Sequence, residues 1–166
     1  MLKVFDSSEK LDFGQLMDVY TQWNQKNGAM LYPKLMDNLQ VLYSEQDFYA
    51  FLEEFFVVKD AKYYVWEIDG HYCAALRIEP YLDGLLVEAV ETTPAMRGRG
   101  MASSLLSATI ASLRTGCYSK IYSHVQKDNE PSLKLHKKCG FFKIADSAQY
   151  IDGSYHDDSY TLICEI

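Results

Sequence analysis

Long apolar runs and clusters of basic residues are both missing from this sequence. No uninterrupted apolar stretch is longer than about five residues, far short of the ~20 that a membrane helix needs. The chain carries 16 Lys and Arg against 23 Asp and Glu, a net charge of −7, and has no basic cluster to displace counterions from a nucleic-acid backbone. We therefore expect no membrane span and no nucleic-acid partner. The negative balance tolerates a cationic small-molecule partner, and it also simply favours solubility.

Paired cysteines and a leader peptide are missing as well. The cysteines lie far apart, with no C-x-x-C and no Cys/His spacing typical of zinc sites, at Cys73, Cys117, Cys139 and Cys164. Asp6 directly follows the first five residues, so there is no apolar core of a signal peptide. These features predict free thiols in a cytoplasmic protein without a bound metal.

Aromatic residues, by contrast, are abundant. The 166 residues include 13 Tyr, 8 Phe and 2 Trp, and 48% of the chain is hydrophobic, which excludes intrinsic disorder. No repeat, low-complexity tract or Pro/Gly/Ser-rich linker divides the sequence. Since the length is that of one ordinary domain, we predict a single domain over residues 1–166.

The first third of the chain has apolar residues at helical spacing. Helix starts are predicted at Asp12, with Gln15 completing a capping box, after Pro33 and again at Ser44. The aromatic residues of these helices are expected to lie in the core.

Strand patterns dominate the middle and the end of the chain. β-Branched and aromatic residues over 63–92 predict three strands linked by hairpin turns, the first of them at Asp69-Gly70. A helix separates these strands from another over 120–125, which can therefore lie parallel to its neighbour. A further helix and a closing hairpin over 141–165 complete the pattern. We predict an α+β fold with a mixed, mostly antiparallel sheet of about 6–7 strands flanked by helices.

The most informative segment runs from a strand through a glycine-rich loop into a helix, over residues 85–102. Gly98 and Gly100 remove side chains where the backbone turns tightly. Free N–H groups and the positive dipole end at the helix start create an anion site, to which Arg97 and Arg99 add charge. The Gly-Lys-Ser/Thr ending of a P-loop is absent, and a Rossmann fingerprint does not belong behind antiparallel strands. The segment predicts a phosphate cradle; the alternative is an ordinary turn with solvated arginines.

A second motif follows this loop. Asn129 and Ser132 form Asn-x-x-Ser, and residues 135–141 read Leu-His-Lys-Lys-Cys-Gly-Phe, downstream of Arg-x-x-Gly-x-Ala over residues 97–102. In both motifs the sequence resembles the GNAT superfamily of acetyl-CoA-dependent N-acetyltransferases. That family carries Arg/Gln-x-x-Gly-x-Gly/Ala, then Asn-x-x-Ala/Ser, then Leu-Tyr-x-Lys-x-Gly-Phe.

The resemblance implies acetyl-CoA as co-substrate and no metal. In GNAT-like folds the strands that correspond to 85–92 and 120–125 splay apart, and the pantetheine arm lies between them as an added strand would, with the pyrophosphate on the loop amides. Thr92 stands where the family usually has valine. The residues that the resemblance assigns to the cofactor are Val90, Glu91, Thr92, Arg97, Gly98, Arg99, Gly100, Met101, Ala102, Asn129 and Ser132.

Acetyl transfer to an amine needs a base, because an alkylamine with a pKa of ~10.4 must lose a proton before it attacks. Glu88 is our candidate, since some family members place a catalytic His or Glu nine residues before the arginine, here Arg97. Strand alternation places Glu88 on one face with Leu86 and Val90. The alternative is that Glu88 only binds a cationic substrate or faces solvent. Backbone N–H groups beside a strand bulge are expected to stabilise the developing oxyanion.

His136 is the main departure from the family, which usually has a tyrosine there with its phenol close to the cofactor sulfur. Imidazole can protonate the departing thiolate, although with a pKa of ~6.5 only about a quarter of it is protonated at pH 7. The alternative is a histidine on the helix surface, with solvent as the acid. The other histidines are expected to be structural or solvated, because none pairs with another at metal spacing; they are His71, His124 and His156.

The sequence therefore predicts an N-acetyltransferase that moves an acetyl group from acetyl-CoA to a primary amine by direct attack in a ternary complex. The acceptor expected is a small cationic metabolite, favoured by the acidic residues Glu88, Glu91, Asp157 and Asp158. Two alternatives stay open: a non-catalytic acyl-CoA-binding or regulatory module, and a protein-modifying acetyltransferase. Since GNAT family members often dimerise, the resemblance is also compatible with a homodimer.

Overall fold

The structure is a computed structural model that describes residues 1–166, with nine strands and five α-helices. The strands are Leu2–Phe5 (β1), Lys62–Ile68 (β2), His71–Tyr81 (β3), Gly84–Thr92 (β4), Lys120–Gln126 (β5), Phe142–Ala145 (β6), Ala148–Gln149 (β7), Tyr155–His156 (β8) and Ser159–Glu165 (β9). The α-helices are Phe13–Val19 (α1), Thr21–Leu31 (α2), Asp37–Phe55 (α3), Met101–Leu113 (α4) and Glu130–Lys138 (α5).

Seven of the strands form one sheet, in the order β1-β2-β3-β4-β5-β9-β6, while β7 and β8 pair separately. Every pair in the sheet is antiparallel except β4 with β5. Helices α4 and α5 pack on one face around a cluster that includes Leu76 and Leu105. Helices α1 and α3 pack on the other face around Leu16 and Phe48. The predicted α+β class, the mixed sheet and its flanking helices are confirmed.

Two local turn and capping signals are also found in the structure. Asp69 and Gly70 adopt φ values of +49° and +79°, as a two-residue hairpin turn requires. Asp12 caps α1 by accepting a hydrogen bond from the Gln15 N–H at 3.1 Å. The Gln15 side chain does not complete the capping box, because its Oε1 instead accepts from the N–H of Tyr72 at 2.9 Å. This bond ties α1 to β3.

The first third differs from the prediction in three elements. Strand β1 and helix α2 were not expected, and Ser44 begins no helix because it lies buried inside α3, where its Oγ accepts from Asn27 Nδ2 at 3.3 Å. Helix α2 has only Asn24 and Gly28 as buried residues, so it lacks an apolar periodicity. A Cβ on Gly28 would lie 2.4 Å from the carbonyl oxygen of Gln40, which shows how closely α2 and α3 approach.

Strand β4 parts from β5 after three paired residues. Leu85, Leu86 and Val87 face Ile121, Tyr122 and Ser123 in parallel register, and no later residue of β4 pairs with β5. The splay that the resemblance implied therefore begins at Glu88.

A bulge in β4 sits at this same point. The register with β3 passes from Arg77–Glu88 to Ala75–Glu91, which leaves Ala89 and Val90 unpaired in the ladder. The expected common face of Leu86, Glu88 and Val90 is wrong, because Val90 packs against the cluster that contains Val87, whereas Leu86 belongs to another cluster. The extra residue of the bulge reverses the alternation beyond it.

Candidate functional site

The loop between β4 and α4 presents a row of backbone N–H groups. Gly98 and Gly100 adopt left-handed φ values of +72° and +80°, and a Cβ on either would meet no atom within 4 Å. The N–H groups of residues 98–100 bond no backbone carbonyl, and those of residues 101–103 have no acceptor within their helix. These amides stand at the positive end of the α4 dipole, where an anion is favoured.

A cleft of about 670 Å³ lies beside these amides, between β4, the loop and the start of α5. The predicted cofactor residues that line it are Val90, Glu91, Thr92, Arg97, Gly98, Gly100, Met101, Ala102, Asn129 and Ser132. Arg99 does not line it; its Nη1 lies 3.7 Å from the Met96 sulfur. The remaining lining residues, to which the sequence assigned no cofactor role, are Gln22, Met96, Ser103, Pro131 and Leu135.

Arg97 connects the loop to β4 and α2 through hydrogen bonds. Its Nε donates to the carbonyl oxygen of Thr92 at 3.2 Å, and its Nη2 lies 3.2 Å from Glu91 Oε2. Its Nη1 donates to the side chain of Gln22 in α2. Because Glu91 balances the guanidinium charge, the attraction for an anion comes chiefly from the backbone amides of the loop.

Asn129 caps α5, as predicted. Its Oδ1 accepts a hydrogen bond from the N–H of Ser132 at 3.2 Å, and Pro131 occupies the first turn. The Nδ2 group of Asn129 makes no hydrogen bond within the protein, so it is available to a ligand in the cleft.

A second cavity, of about 340 Å³, adjoins the first. Both are lined by Val90 and Glu91 from β4 and by Asn129 and Ser132 from the start of α5. The two cavities therefore meet where β4 and β5 separate. The further residues that line the second cavity include both predicted catalytic residues, together with Trp23, Arg77, Ser123, His124 and Tyr150.

Glu88 is held by a partly buried arginine. Its Oε2 lies 2.9 Å from Nη2 and 3.0 Å from Nε of Arg77, whose guanidinium lies over the Phe51 ring at 4.6 Å. The other oxygen, Oε1, makes no hydrogen bond within the protein. Because only 16% of the side chain is exposed, the alternative of a solvent-facing Glu88 is wrong. One carboxylate oxygen is left for a ligand in the second cavity.

His136 is buried, with 2% of its surface exposed, so the alternative of a surface histidine is wrong. Its Nδ1 donates to the carbonyl oxygen of Ser132 at 2.8 Å, which leaves Nε2 to accept from Ser123 Oγ at 2.9 Å. Phe141 packs edge-on against the imidazole. Burial lowers the pKa of His136 below its usual value, so the ring is neutral at pH 7. Its role as an acid stays a prediction, and it requires a second proton on Nε2.

His124 has an unusual environment that the sequence did not signal. Both ring nitrogens are buried and neither has a hydrogen-bond partner. The rings of Tyr81 and Tyr150 pack edge-on against it, at 5.4 and 4.9 Å between centroids. Burial lowers the pKa of His124, while the charge of Glu88 acts in the opposite direction. His124 is thus a neutral imidazole in the wall of the second cavity.

Residues 28–141 match the family model described as the Acetyltransferase (GNAT) family. The chain belongs to this family. As a GNAT acetyltransferase it is an acyltransferase that uses acetyl-CoA. The chain is therefore an enzyme, and the alternative of a non-catalytic module is wrong. A search of curated protein sequences found no match.

Solved structures of other GNAT proteins share the fold at low identity. The PaiA N-acetyltransferase of Thermoplasma acidophilum, in complex with coenzyme A, has a TM-score of 0.68 at 10% identity over 100% of this chain and 99% of its own. A ribosomal-protein-alanine N-acetyltransferase from Brucella melitensis has a TM-score of 0.68 at 17% identity over 99% of each chain. A spermidine N-acetyltransferase SpeG chimera, from Vibrio cholerae and hSSAT, has a TM-score of 0.64 at 16% identity, covering 99% of this chain and 95% of its own.

Two structural findings accompany the family assignment. No group of three or more His, Cys, Asp or Glu side chains is arranged to hold a metal ion. No α-helix combines the length and the apolar character that crossing a membrane requires.

The loop amides give a first prediction. Gly100→Asp places a negative charge beside them, and we expect it to weaken acetyl-CoA binding at least about tenfold, or ~1.4 kcal/mol, relative to Gly100→Asn. Asparagine has the same shape and tolerates the left-handed φ, so the comparison isolates the charge. Isothermal titration with acetyl-CoA measures both affinities.

Gly153→Asp serves as the control, because Gly153 has a similar φ of +83° and open surroundings outside both cavities. Equal affinities of Gly100→Asp and Gly100→Asn would contradict an anion site on the loop.

The buried imidazole gives a second prediction. Because burial lowers the pKa of His136 in the folded state below the 6.5 of an exposed histidine, the unfolded chain takes up the proton first as the pH falls. The contribution of His136 to the free energy of unfolding is complete above about pH 6.5 and falls below it, by up to ~1.4 kcal/mol per pH unit. Denaturant unfolding between about pH 7 and pH 5 should therefore show a shallower pH dependence in His136→Gln than in the wild type. His71→Gln, at an exposed histidine, is the control; equal slopes in all three proteins would contradict the prediction.

Proposed function

We propose that this GNAT enzyme acetylates a primary amine on a small cationic metabolite, by direct attack of the amine in a ternary complex with acetyl-CoA. The observation that carries the proposal is the meeting of two different cavities at the bulge of β4. The larger has the row of free amides that suits a phosphate-bearing cofactor. The smaller, lined by Trp23 and Tyr150 among others, has the volume for a small acceptor.

Charge around the second cavity supports a cationic acceptor. Glu88 and Glu91 both line it, and each is balanced by one arginine, Arg77 and Arg97 respectively. Burial and the neighbouring charge of Glu88 raise the pKa of Glu79, a β3 carboxyl group that does not itself line the cavity. The unbonded Oε1 of Glu88 is the carboxylate oxygen that an ammonium group in the cavity would meet.

Two acidic residues do not contribute as expected. Asp157 and Asp158 lie between β8 and β9, and neither lines the second cavity. The side chain of Asp158 instead lies near His156 and accepts from Ser159. The acidic character of the acceptor end therefore depends on the carboxylates of β3 and β4.

For the cofactor, we propose that the amides of residues 98–102 bind the pyrophosphate, since the Arg97 N–H bonds the Pro94 carbonyl, and that Asn129 Nδ2 donates to the pantetheine arm. Val90, Glu91 and Thr92 would offer their backbone to that arm, since β5 does not pair with them. Arg99 stays a proposed contact only for parts of the cofactor that extend beyond the cleft.

For the chemical step, we propose that Glu88 Oε1 takes one proton from the ammonium group, and the neutral nitrogen then bonds to the acetyl carbon. The carbon–sulfur bond then breaks and the thiolate leaves with the electron pair. The second proton that the nitrogen loses as the amide forms balances the proton that the thiolate takes up. Because Arg77 holds Oε2, the reacting oxygen has a fixed position. His136 is the proposed proton donor to the thiolate, for which Nε2, the accepting nitrogen of the neutral ring, must first take up a proton.

A protein acceptor is the second candidate, because ribosomal-protein-alanine N-acetyltransferases share the fold.

We also propose a cytoplasmic location, supported by four cysteines that are all free thiols. A homodimer is a further proposal, supported by the edge strand β6, on which Phe142 and Ile144 are about half exposed.

The acceptor class is tested by a panel of amines with detection of released CoA. We expect thiol release with spermidine and other small polyamines, because the second cavity is small and lined by acidic groups. An alanine-terminated peptide should give at least tenfold lower kcat/KM, on the order of 1.4 kcal/mol. Acetylation of the peptide alone would overturn the small-metabolite proposal, and the product's mass identifies the acetylated nitrogen in either case.

The base is tested by Glu88→Gln, whose amide oxygen still accepts from Arg77 but takes no proton. We expect kcat near pH 7 to fall by a factor of roughly 10² with a smaller change in the KM of the amine. Glu130→Gln, at an exposed residue of α5, is the control and should keep the wild-type rate. A raised KM with intact kcat would make Glu88 a binding residue, and loss of kcat in His124→Phe alone would move the base to His124.

A further inference from the structure

Tyr20 reaches the active strand from the opposite layer of the protein. The residue joins α1 to α2, and only 2% of its surface is exposed. Its hydroxyl donates a hydrogen bond of 2.7 Å to the carbonyl oxygen of Ala89. Ala89 is 69 residues away in sequence and lies in the bulge of β4.

The peptide group that Tyr20 bonds lies outside the paired register of the sheet. Ala89 has φ of +51°, a left-handed conformation that a residue other than glycine adopts only under constraint. Neither Ala89 nor Val90 has a partner in the β3 ladder, and pairing with β5 ends at Val87. The tyrosine hydroxyl therefore supplies the hydrogen bond that a strand neighbour would otherwise give.

This bond also determines where the next N–H points. The peptide unit that links Ala89 and Val90 is planar and trans, so its C=O and N–H point in opposite directions. The carbonyl is directed toward Tyr20, on the side of α1 and α2. The Val90 N–H consequently points away from those helices, and Val90 itself lines both cavities where β4 and β5 separate.

We propose that Tyr20 is a positioning residue for acetyl transfer: its hydroxyl fixes the Ala89–Val90 peptide so that the Val90 N–H donates to the thioester carbonyl oxygen. As the amine nitrogen bonds to the acetyl carbon, the electron pair of the carbonyl moves onto this oxygen. The pair returns when the carbon–sulfur bond breaks and the thiolate departs. A donor already in place stabilises the charge that develops between these two events. The inference rests on the acyl transfer of the proposed function and is independent of the acceptor.

The surroundings of Tyr20 suit a fixed donor. Its ring packs against Phe48 at 5.2 Å between centroids, which limits its rotation. Burial raises the pKa of Tyr20 well above 10, so the hydroxyl keeps its proton at every physiological pH. A phenylalanine would fill the same space in the core, so packing alone does not require the hydroxyl of Tyr20.

Tyr20→Phe tests the role with acetyl-CoA alone, labelled with ¹³C at the thioester carbonyl. In the wild type, we expect the carbonyl stretching band to shift to lower frequency on binding, because a hydrogen bond to the oxygen weakens the C=O bond. In Tyr20→Phe the band should return toward its position in free acetyl-CoA. The dissociation constant of acetyl-CoA should change less than about threefold, since the loop amides still bind the pyrophosphate.

Turnover gives the second measurement. With spermidine as the acceptor, kcat of Tyr20→Phe should fall about tenfold, less than the 10²–10³ reported for losing an oxyanion donor outright, because Val90 N–H is still present. Tyr64→Phe is the matched control, since Tyr64 is a buried tyrosine of β2 that packs against the other face of the sheet. It should keep both the wild-type band and the wild-type rate.

Each outcome separates the hypotheses. An unchanged carbonyl band in Tyr20→Phe overturns the positioning role, even if thermal stability falls. A band that shifts equally in Tyr64→Phe also overturns it, because the effect would then be general to core tyrosines. A Tyr20-dependent band in a protein that acetylates no amine would support the positioning role while refuting the proposed acceptor class.

Discussion

The parting of β4 from β5 is the constraint on which the rest of the structure depends. A sheet that opens between two neighbouring strands leaves N–H and C=O groups without partners, and buried groups of this kind must be satisfied in some other way. The strands pair only as far as Val87 and Ser123, and beyond this point the partners come from elsewhere. Tyr20 bonds one carbonyl of the bulge, and Glu91 and Thr92 pair with no strand on the side of β5. The gap is thus both an interruption of the sheet and the place where we propose that the cofactor arm binds.

Some of the polar groups beside this gap are buried at a cost in stability. Arg77 and Glu88 form a largely buried ion pair, and the loss of hydration of such a pair can exceed its Coulomb energy. The imidazole of His136 is fully bonded, whereas that of His124 is not. An unsatisfied buried group costs on the order of 1–3 kcal/mol, which a ligand or a proton that bonds His124 would offset. The gap thus contains polar residues that add little to the stability of the fold.

Sequence alone predicted those features that are encoded by near neighbours along the chain. The cofactor loop depends on its own backbone, so the spacing of its glycines and the cap at Asn129 were sufficient to find it. Glu88 and His136 could be named from motifs, but Arg77 and Ser123, which decide their state, lie on other strands. Contacts between distant segments left no local pattern, as for α2, whose close approach to α3 depends on Gly28. The bulge could not be predicted from the sequence either, because it arises from a change of register between β3 and β4.

The contacts of Arg97 have a thermodynamic consequence. This side chain, in the loop that precedes α4, contacts Gln22 of α2, which lines the larger cleft, Glu91, which lines both cavities, and the carbonyl oxygen of Thr92 in β4. An anion on the loop that draws the guanidinium toward itself would weaken its bonds to Gln22 and Glu91, and an acceptor that bonds Glu91 would in turn release the arginine. The two proposed substrates thus share one charged side chain. Their affinities would then be linked, and reciprocity requires each to change the affinity of the other by the same factor.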